Sequence, residues 1–423
     1  MVASTDIKFY VHTNTNAPQL QNAYGSMINV LDACLVNGFG SQTVSTLTAS
    51  GTTVTATFGA AHNFKQYQVI KITGATQTEF NGEHRILTVP NANSITFQLA
   101  AAPSVTTATG TITASLPPLG WEKPFSSAHS SGVGGKAAYR SLNLLLPSRP
   151  FLRVVDERDP AYTATYAKYA KVGIVEDMAN IDTMLGVQAP YDSATPDKNW
   201  VGTGSGTSAI NGWAKWYYAS AQLNSTLYPD ITTPQSANRV WLLVGNTDYF
   251  YIIPSFNTNS PGLVYGFGKF KTLLNADSAN NFLSCTLQYA TALGMDGTAK
   301  DDYTAFTKTS PNWSVLLQRK SNNQRIPAIA KTYSNPFSSI SGNSNALAQP
   351  DTQGDVLFFP VFIFEDNNVL RGVAENILNV AQLSGINDIE GFTSGDQIFI
   401  SRYTFLKGNE TKGQVFFNLG GIS

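Results

Sequence analysis

Between residues 42 and 115 the chain alternates apolar and polar positions at a spacing of two, in short runs broken by turn-forming residues. Runs at 43–48, 53–58, 68–73, 85–89, 94–99 and 110–114 carry the pattern. In the second run Val54, Ala56 and Phe58 share one face and Thr53, Thr55 and Thr57 the other, as expected of a strand buried on one side. Ser50-Gly51, Asn81-Gly82 and Pro90-Asn91 mark the reversals, since Asn and Gly tolerate the positive φ of a tight hairpin. The segment reads as a small all-β module inserted into a larger body. The chain then divides into 1–41, 42–115 and 116–423, the last divisible near the Ser/Asn-rich stretch 336–350.

Outside the module, 7–11 reads as a short strand. Met27, Ile28, Leu31, Leu35 and Val36 recur at helical spacing, predicting a helix over 25–36 that stops at Asn37-Gly38. Residues 151–156 form a strong strand pattern; 163–175 fits a strand or, through its Ala and Lys content, a helix; 176–185 fits a short helix. Runs at 239–244 and 249–253, joined by Gly245-Asn246-Thr247-Asp248, predict a hairpin. Further strands are expected at 263–274, 356–365, 369–378, 397–405 and 414–419, with 282–289 and 313–317 open between strand and short helix. The predicted class is mainly β with a few short helices: a larger β-sandwich or barrel-like body carrying a small inserted β-barrel-like module.

Composition narrows the partners. The 423 residues have a formal net charge of −1 and only 13% are charged, which leaves no electrostatic footprint for nucleic acid or an anionic membrane. Two cysteines, Cys34 and Cys285, lie far apart without metal-site spacing and read as small buried apolar residues. The N-terminus lacks the pattern of a secretory signal, and no apolar run reaches the roughly 18 residues that span a bilayer. The expectation is a soluble chain made in a cytoplasm.

Candidate chemistry is sparse. Around Gly132-Val133-Gly134-Gly135-Lys136-Ala137, Ser130 stands where a phosphate loop needs Gly, and Ala137 replaces its hydroxyl residue. The glycines of 202–206 have the wrong spacing for a dinucleotide fingerprint or a nucleophile elbow and read as a flexible loop. His12, His62, His84 and His129 include no pair at helical metal-site spacing; His62 reads as satisfying a turn. A glycosidase needs two converging carboxylates. The candidates are Asp156, Glu157 and Asp159, Glu176 and Asp177, Asp301 and Asp302, and Glu365 and Asp366, and each group abuts a strand end where solvated turns are the ordinary reading. No catalytic residue, metal ligand or cofactor is predicted. Trp213, Trp216, Tyr217 and Tyr218 form the strongest aromatic cluster; core packing is the first reading, a protein interface the second and stacking on a sugar the third.

The run Asp6-Ile7-Lys8-Phe9-Tyr10, the stretch from Asn29 to Gly40 and Gly120-Trp121-Glu122-Lys123-Pro124-Phe125 after the insert resemble a family of tailed-bacteriophage virion structural proteins. Within the insert, Ala60-Ala61-His62-Asn63-Phe64, Phe80-Asn81-Gly82 and Ile95-Thr96-Phe97 resemble the small β module named after the first catalytic cysteine half-domain of ubiquitin-activating enzymes. In phage proteins that module implies a structural graft and no ubiquitin chemistry. The resemblance covers roughly the first third of the chain. It implies a non-enzymatic virion component of the tail, baseplate or neck, assembled in the bacterial host cytoplasm, whose partners are copies of itself in a ring and other virion proteins. A capsid-decorating or fibre-attaching protein is the structural alternative, and a protein that binds or depolymerises a host-surface glycan is the alternative from another class. Ile7, Phe9 and Val11 near one end, Phe416 near the other, and Trp213, Trp216, Tyr217 and Tyr218 are the candidate interface residues, the ends because they can reach a neighbour without disturbing a core.

Overall fold

The computed structural model describes residues 2–205, 212–221, 229–287, 314–321, 325, 327–333, 358–365, 369–380, 384–405 and 412–422. Asp301, Asp302, Asp366 and the division near 336–350 lie outside them. Among the described residues the chain is mainly β, in three sheets that include a curled half-barrel.

The inserted sheet has seven strands in the order Gly82–Arg85, Val69–Ala75, Gly110–Leu116, Phe39–Ser50, Thr53–Phe58, Ser94–Gln98 and Thr88–Asn91. Alternation decides its faces: Val54, Ala56, Ile70, Ile72, Ile95 and Phe97 are buried, while their threonine neighbours line the outside. Gly51 turns the first hairpin at φ 60°. The reversal expected at Pro90-Asn91 falls at Ala92-Asn93, because Asn91 is still paired with Ser94.

Entry and exit of the insert are zipped together. Helix Ser26–Leu31 widens into a π-helical turn, Asp32–Asn37, which ends at Gly38 with φ 69°. Leu119 N donates to Cys34 O at 2.9 Å and Gly120 N to Leu35 O at 3.2 Å. A Cβ on Gly38 would lie 2.7 Å from Leu116 O, so only glycine permits this close approach. Arg85 then stitches the insert to the body. Its guanidinium, fully buried, donates to Ser4 O at 2.6 Å, Tyr67 O at 2.7 Å, Ile7 O at 2.8 Å and Leu419 O at 3.0 Å. The apolar interior runs without a break from insert to body.

Both chain ends complete the body's largest sheet, which has thirteen strands. Lys8–Val11 pairs with Trp241–Gly245, and Lys412–Gly421 lies between Val369–Val380 and Gln397–Phe405. The reading of these ends as arms toward a neighbour is therefore corrected: among the described residues Lys412–Gly421 is laddered on both sides and Lys8–Val11 on one, and their apolar side chains pack in this chain's own core. The expected hairpin is present as Trp241–Gly245 and Tyr249–Pro254, its turn held by Asn246 Oδ1, which accepts from Asp248 N at 2.9 Å and Tyr249 N at 3.3 Å.

The central sheet orders Thr286–Leu287, Ala214–Ala219, Lys168–Asn180, Phe151–Glu157, Gly134–Ser141 and Trp121–Ala128, with Thr183–Ala189 hairpinned onto Lys168–Asn180. The ambiguous 163–175 stretch enters a strand, and the short helix expected over 176–185 is a hairpin instead. Asn180 Oδ1 accepts from Asp182 N and Thr183 N, both at 3.0 Å, an Asx turn that reverses the chain where a helix would have to continue.

Candidate functional site

Directly opposed residues of an antiparallel ladder point to the same face. The registers Lys136↔Val155, Val155↔Lys171 and Lys171↔Lys215 therefore place three lysines in one row across four strands of the central sheet. Like charges opposed in this way repel, yet Lys171 and Lys215 are buried. Each lysine is matched by an aspartate from a connecting segment. Lys136 Nζ lies 2.7 Å from Asp182 Oδ1, Lys171 Nζ 2.9 Å from Asp159 Oδ2 and Lys215 Nζ 2.5 Å from Asp230 Oδ2. Arg153, one row along, joins Asp182 at 3.0 Å and stacks over Trp200 at 4.4 Å.

These pairs fasten loops to the sheet. Asp159 also accepts from Ala161 N at 3.0 Å and Gly202 N at 2.8 Å, and a Cβ on Gly202 would sit 2.5 Å from its Oδ1. Gly202, expected in a flexible loop, is pinned. Burial pushes Asp159 up, but the Lys171 ammonium and the hydrogen bonds it accepts outweigh this and hold it below the usual carboxylate range. Burial lowers Lys171 and Lys215, with their aspartates opposing. Asp230 gathers tyrosines as well: Tyr217 Oη donates to it, and burial first, its carboxylate second, raises the Tyr162, Tyr169 and Tyr217 phenols.

The other face of the sheet carries Asp156. It is completely buried, so the solvated-turn reading fails for it. Its Oδ2 accepts from Met27 N at 2.9 Å and Ile28 N at 3.3 Å, and its Oδ1 from Tyr218 Oη at 2.6 Å. The clasp ties the helix that leads into the insert to two strands of the central sheet. Burial pushes the carboxyl up to about 6 against these hydrogen bonds. Lys168, lowered to about 8 by burial, donates to Ala164 O at 2.9 Å and to Tyr166 O. Burial moves both groups toward neutrality, where acid–base catalysis works best, and both spend their polar atoms on this chain.

Of the other acidic candidates, Glu365 is buried against Arg371 at 2.7 Å, Glu176 pairs with Arg319 and accepts from Val187 N at 2.7 Å, Glu157 is half-buried and Asp177 is exposed. Glu157 follows Asp156 on one strand and so points to the opposite face, Glu176 and Asp177 likewise alternate along the next strand, and Glu365 lies in the thirteen-stranded sheet. His62 does satisfy a turn, with Nδ1 accepting from Phe64 N at 2.9 Å. Cys34 and Cys285 are buried and form no disulfide. Among the described residues no three His, Cys, Asp or Glu gather as metal ligands, and no helix is long and apolar enough to cross a membrane.

The eight candidate interface residues are all interior, between 0% and 6% exposed. Ile7, Phe9 and Val11 pack in the main core, Phe416 beneath Phe392 and Phe358. Trp216 stacks on Tyr265 and donates from Nε1 to Ser284 O at 2.8 Å; Tyr217 and Tyr218 hold Asp230 and Asp156. The aromatic cluster is core, as first read, and it offers no plane to a sugar or a partner. Sequence reasoning passed over the lysine row. Its signal was lysine set among aromatic and alanine positions inside a strand pattern, in Lys168-Tyr169-Ala170-Lys171 and Ala214-Lys215-Trp216.

No protein-family model and no curated relative matches the chain. Among solved structures it is similar to phage phi92 endosialidase at 10% identity and a TM-score of 0.16, over 90% of this chain and 52% of that one. The chain thus spans about half the length of that protein. An overlap that loose carries no chemistry across.

Proposed function

We propose that this chain is a non-enzymatic structural component of a tailed-bacteriophage virion, built into the tail, baseplate or neck, where identical copies repeat one set of contacts around a symmetric ring. The observation that carries the reading is the use made of charge in the central sheet. Lys136, Lys171 and Lys215 each hold an aspartate from a different connection, and Asp156 holds the root of the insert. Such groups brace a subunit, and a rigid subunit suits repeated contacts because any ordering at an interface subtracts from binding at every copy. A net charge of −1 adds little repulsion between copies. The virion setting rests on the resemblance of the first third of the chain.

Particle reconstruction with quantitative mass spectrometry tests the reading. The expected result is density in the tail, baseplate or neck and a copy number matching a ring. A copy number that scales with the capsid lattice would favour a decorating protein. Cleavage of a host polysaccharide by the purified chain would overturn the non-enzymatic assignment.

A further inference from the structure

The three lysines of the central row are not paired alike. Lys136 meets an exposed Asp182, where water competes for both groups. Lys171 shares its ammonium between Asp159 and Trp200 O, and Asp159 accepts from two backbone N–H groups besides. A carboxylate with that many donors is held as an ion. Lys215 is completely buried and Asp230 nearly so, with Nζ 2.5 Å from Oδ2. The same Nζ lies 4.5 Å from the centre of the Tyr169 ring and 6.0 Å from that of Tyr217, and Tyr217 Oη donates to the other carboxylate oxygen, Oδ1. Both ends of the pair are fixed. Lys215 stands in a strand opposite Lys171 on one side and Thr286 on the other. Asp230 is the middle residue of the 3₁₀ turn Pro229–Ile231, and its carbonyl accepts from Ala167 N at 3.1 Å. Since a carbon–oxygen bond adds roughly 1.2 Å, Nζ lies no more than roughly 3.7 Å from Asp230 Cγ, close to the separation of a near-attack conformer.

We propose that Lys215 and Asp230 condense into an intramolecular isopeptide bond, an amide joining two side chains that lie fifteen positions apart. Two charges held away from water are costly, and a buried pair relieves that cost by passing one proton from the ammonium to the carboxylate. Burial lowers Lys215 in that direction, against the opposing pull of Asp230. The neutral amine is the nucleophile. Its lone pair attacks Asp230 Cγ and the Nζ–Cγ bond forms, while Oδ1 carries the developing negative charge and is stabilised by the Tyr217 O–H already donating to it. Oδ2, bearing the carboxyl proton, takes a second proton from Nζ and leaves as water when the Cγ–Oδ2 bond breaks. One amine and one carboxyl thus give one amide and one water, with no oxidant, reductant or co-reactant. The tyrosine rings around the pair keep out the water that would reverse the step. Each chain reacts once, so the step is a maturation of the subunit, and it turns the ion-pair brace at Lys215 into a covalent one wherever the chain sits in a particle.

The test is the intact mass of the purified full chain under denaturing conditions, followed by a tryptic map. The expected chain is lighter than its sequence by one water. Trypsin should then pass over Lys215 and release residues 199–239 as one peptide, also one water light, that yields no backbone fragments between 215 and 230. Lys215→Arg keeps the positive charge but not the nucleophilic amine, and should have the full sequence mass. In chains made by cell-free translation and sampled over time, Tyr217→Phe should lose the water roughly a hundredfold more slowly than wild type. A wild-type chain of full sequence mass, cut by trypsin after Lys215, would overturn the bond and leave the ion pair as the brace. An equal loss of water in Lys215→Arg would place that loss elsewhere in the chain and overturn it as well. A Tyr217→Phe chain that reacts as fast as wild type would overturn the role given to the phenol.

Discussion

The inserted sheet and the central sheet each have seven antiparallel strands, but they are held by different means. The insert keeps hydrophobes inside and threonines outside, and its cross-strand polar pairs, such as Thr73 with Thr113 at 2.9 Å, lie in solvent. The central sheet buries Lys171, Lys215, Arg153 and Asp156 and gives each a charged or hydrogen-bonding partner within the chain. A sheet exposed on one face needs only alternation. One that takes connecting segments on one face and the 26–31 helix on the other must fix them, and here buried charged groups do so with a direction and a partner that apolar contacts lack.

The contrast can be broken most severely at Lys215. Lys215→Ala leaves the Asp230 carboxylate buried beside tyrosines, and removal of one partner of a buried pair costs about 3–5 kcal/mol. Urea unfolding should show that loss, and a change below about 1 kcal/mol would place the pair among surface-like contacts.

Asp156 sharpens the contrast through pH. Its folded value of about 6 lies above the roughly 3.9 of an unfolded chain. Folding therefore favours the protonated carboxyl. The stabilisation is fully present below about pH 4 and is lost as pH rises through about 6, a swing of about 3 kcal/mol. Tyr24, Tyr139 and Tyr218 are the titratable groups that face it. Subtracting the pH–stability profile of Asp156→Asn from that of wild type should reveal this term, and a difference curve that is flat or slopes the other way would refute it.

At the seam, Arg85→Met removes the donors to Ser4, Ile7, Tyr67 and Leu419 and should cost about 2 kcal/mol, the scale of unsatisfied buried acceptors. Hydrogen exchange should then rise at the chain ends ahead of the insert's own strands. In the insert itself, Thr73→Ala should change stability by less than about 0.5 kcal/mol, read as an unmoved unfolding midpoint.

What could be seen in the sequence follows the same divide. The insert's strands and the Trp241–Pro254 hairpin were legible because alternation and Asn/Gly turn chemistry act locally. The helix at 25–36 was legible from its spacing, although its second half is π-helical. Residues 163–185 were not, since Lys171 and Lys168 look like helix surface until Asp159 and a covering loop are supplied from elsewhere. For Asp156 the mistake had the same origin: a carboxylate beside a strand end is ordinarily solvated, and its donors, Met27, Ile28 and Tyr218, lie more than sixty positions away along the chain. Chain ends read as arms because only pairing partners distinguish an arm from an edge strand.

The central claim is that the body's charged groups brace the subunit, and a double-mutant cycle on Lys171 and Asp159 tests it most directly. Lys171→Met, Asp159→Asn and the double variant would be compared by urea unfolding. A bracing pair predicts that each single change costs about 3 kcal/mol or more and that the double costs clearly less than their sum, with a coupling of about 1–3 kcal/mol. Additive losses, or single variants as stable as wild type, would contradict the account.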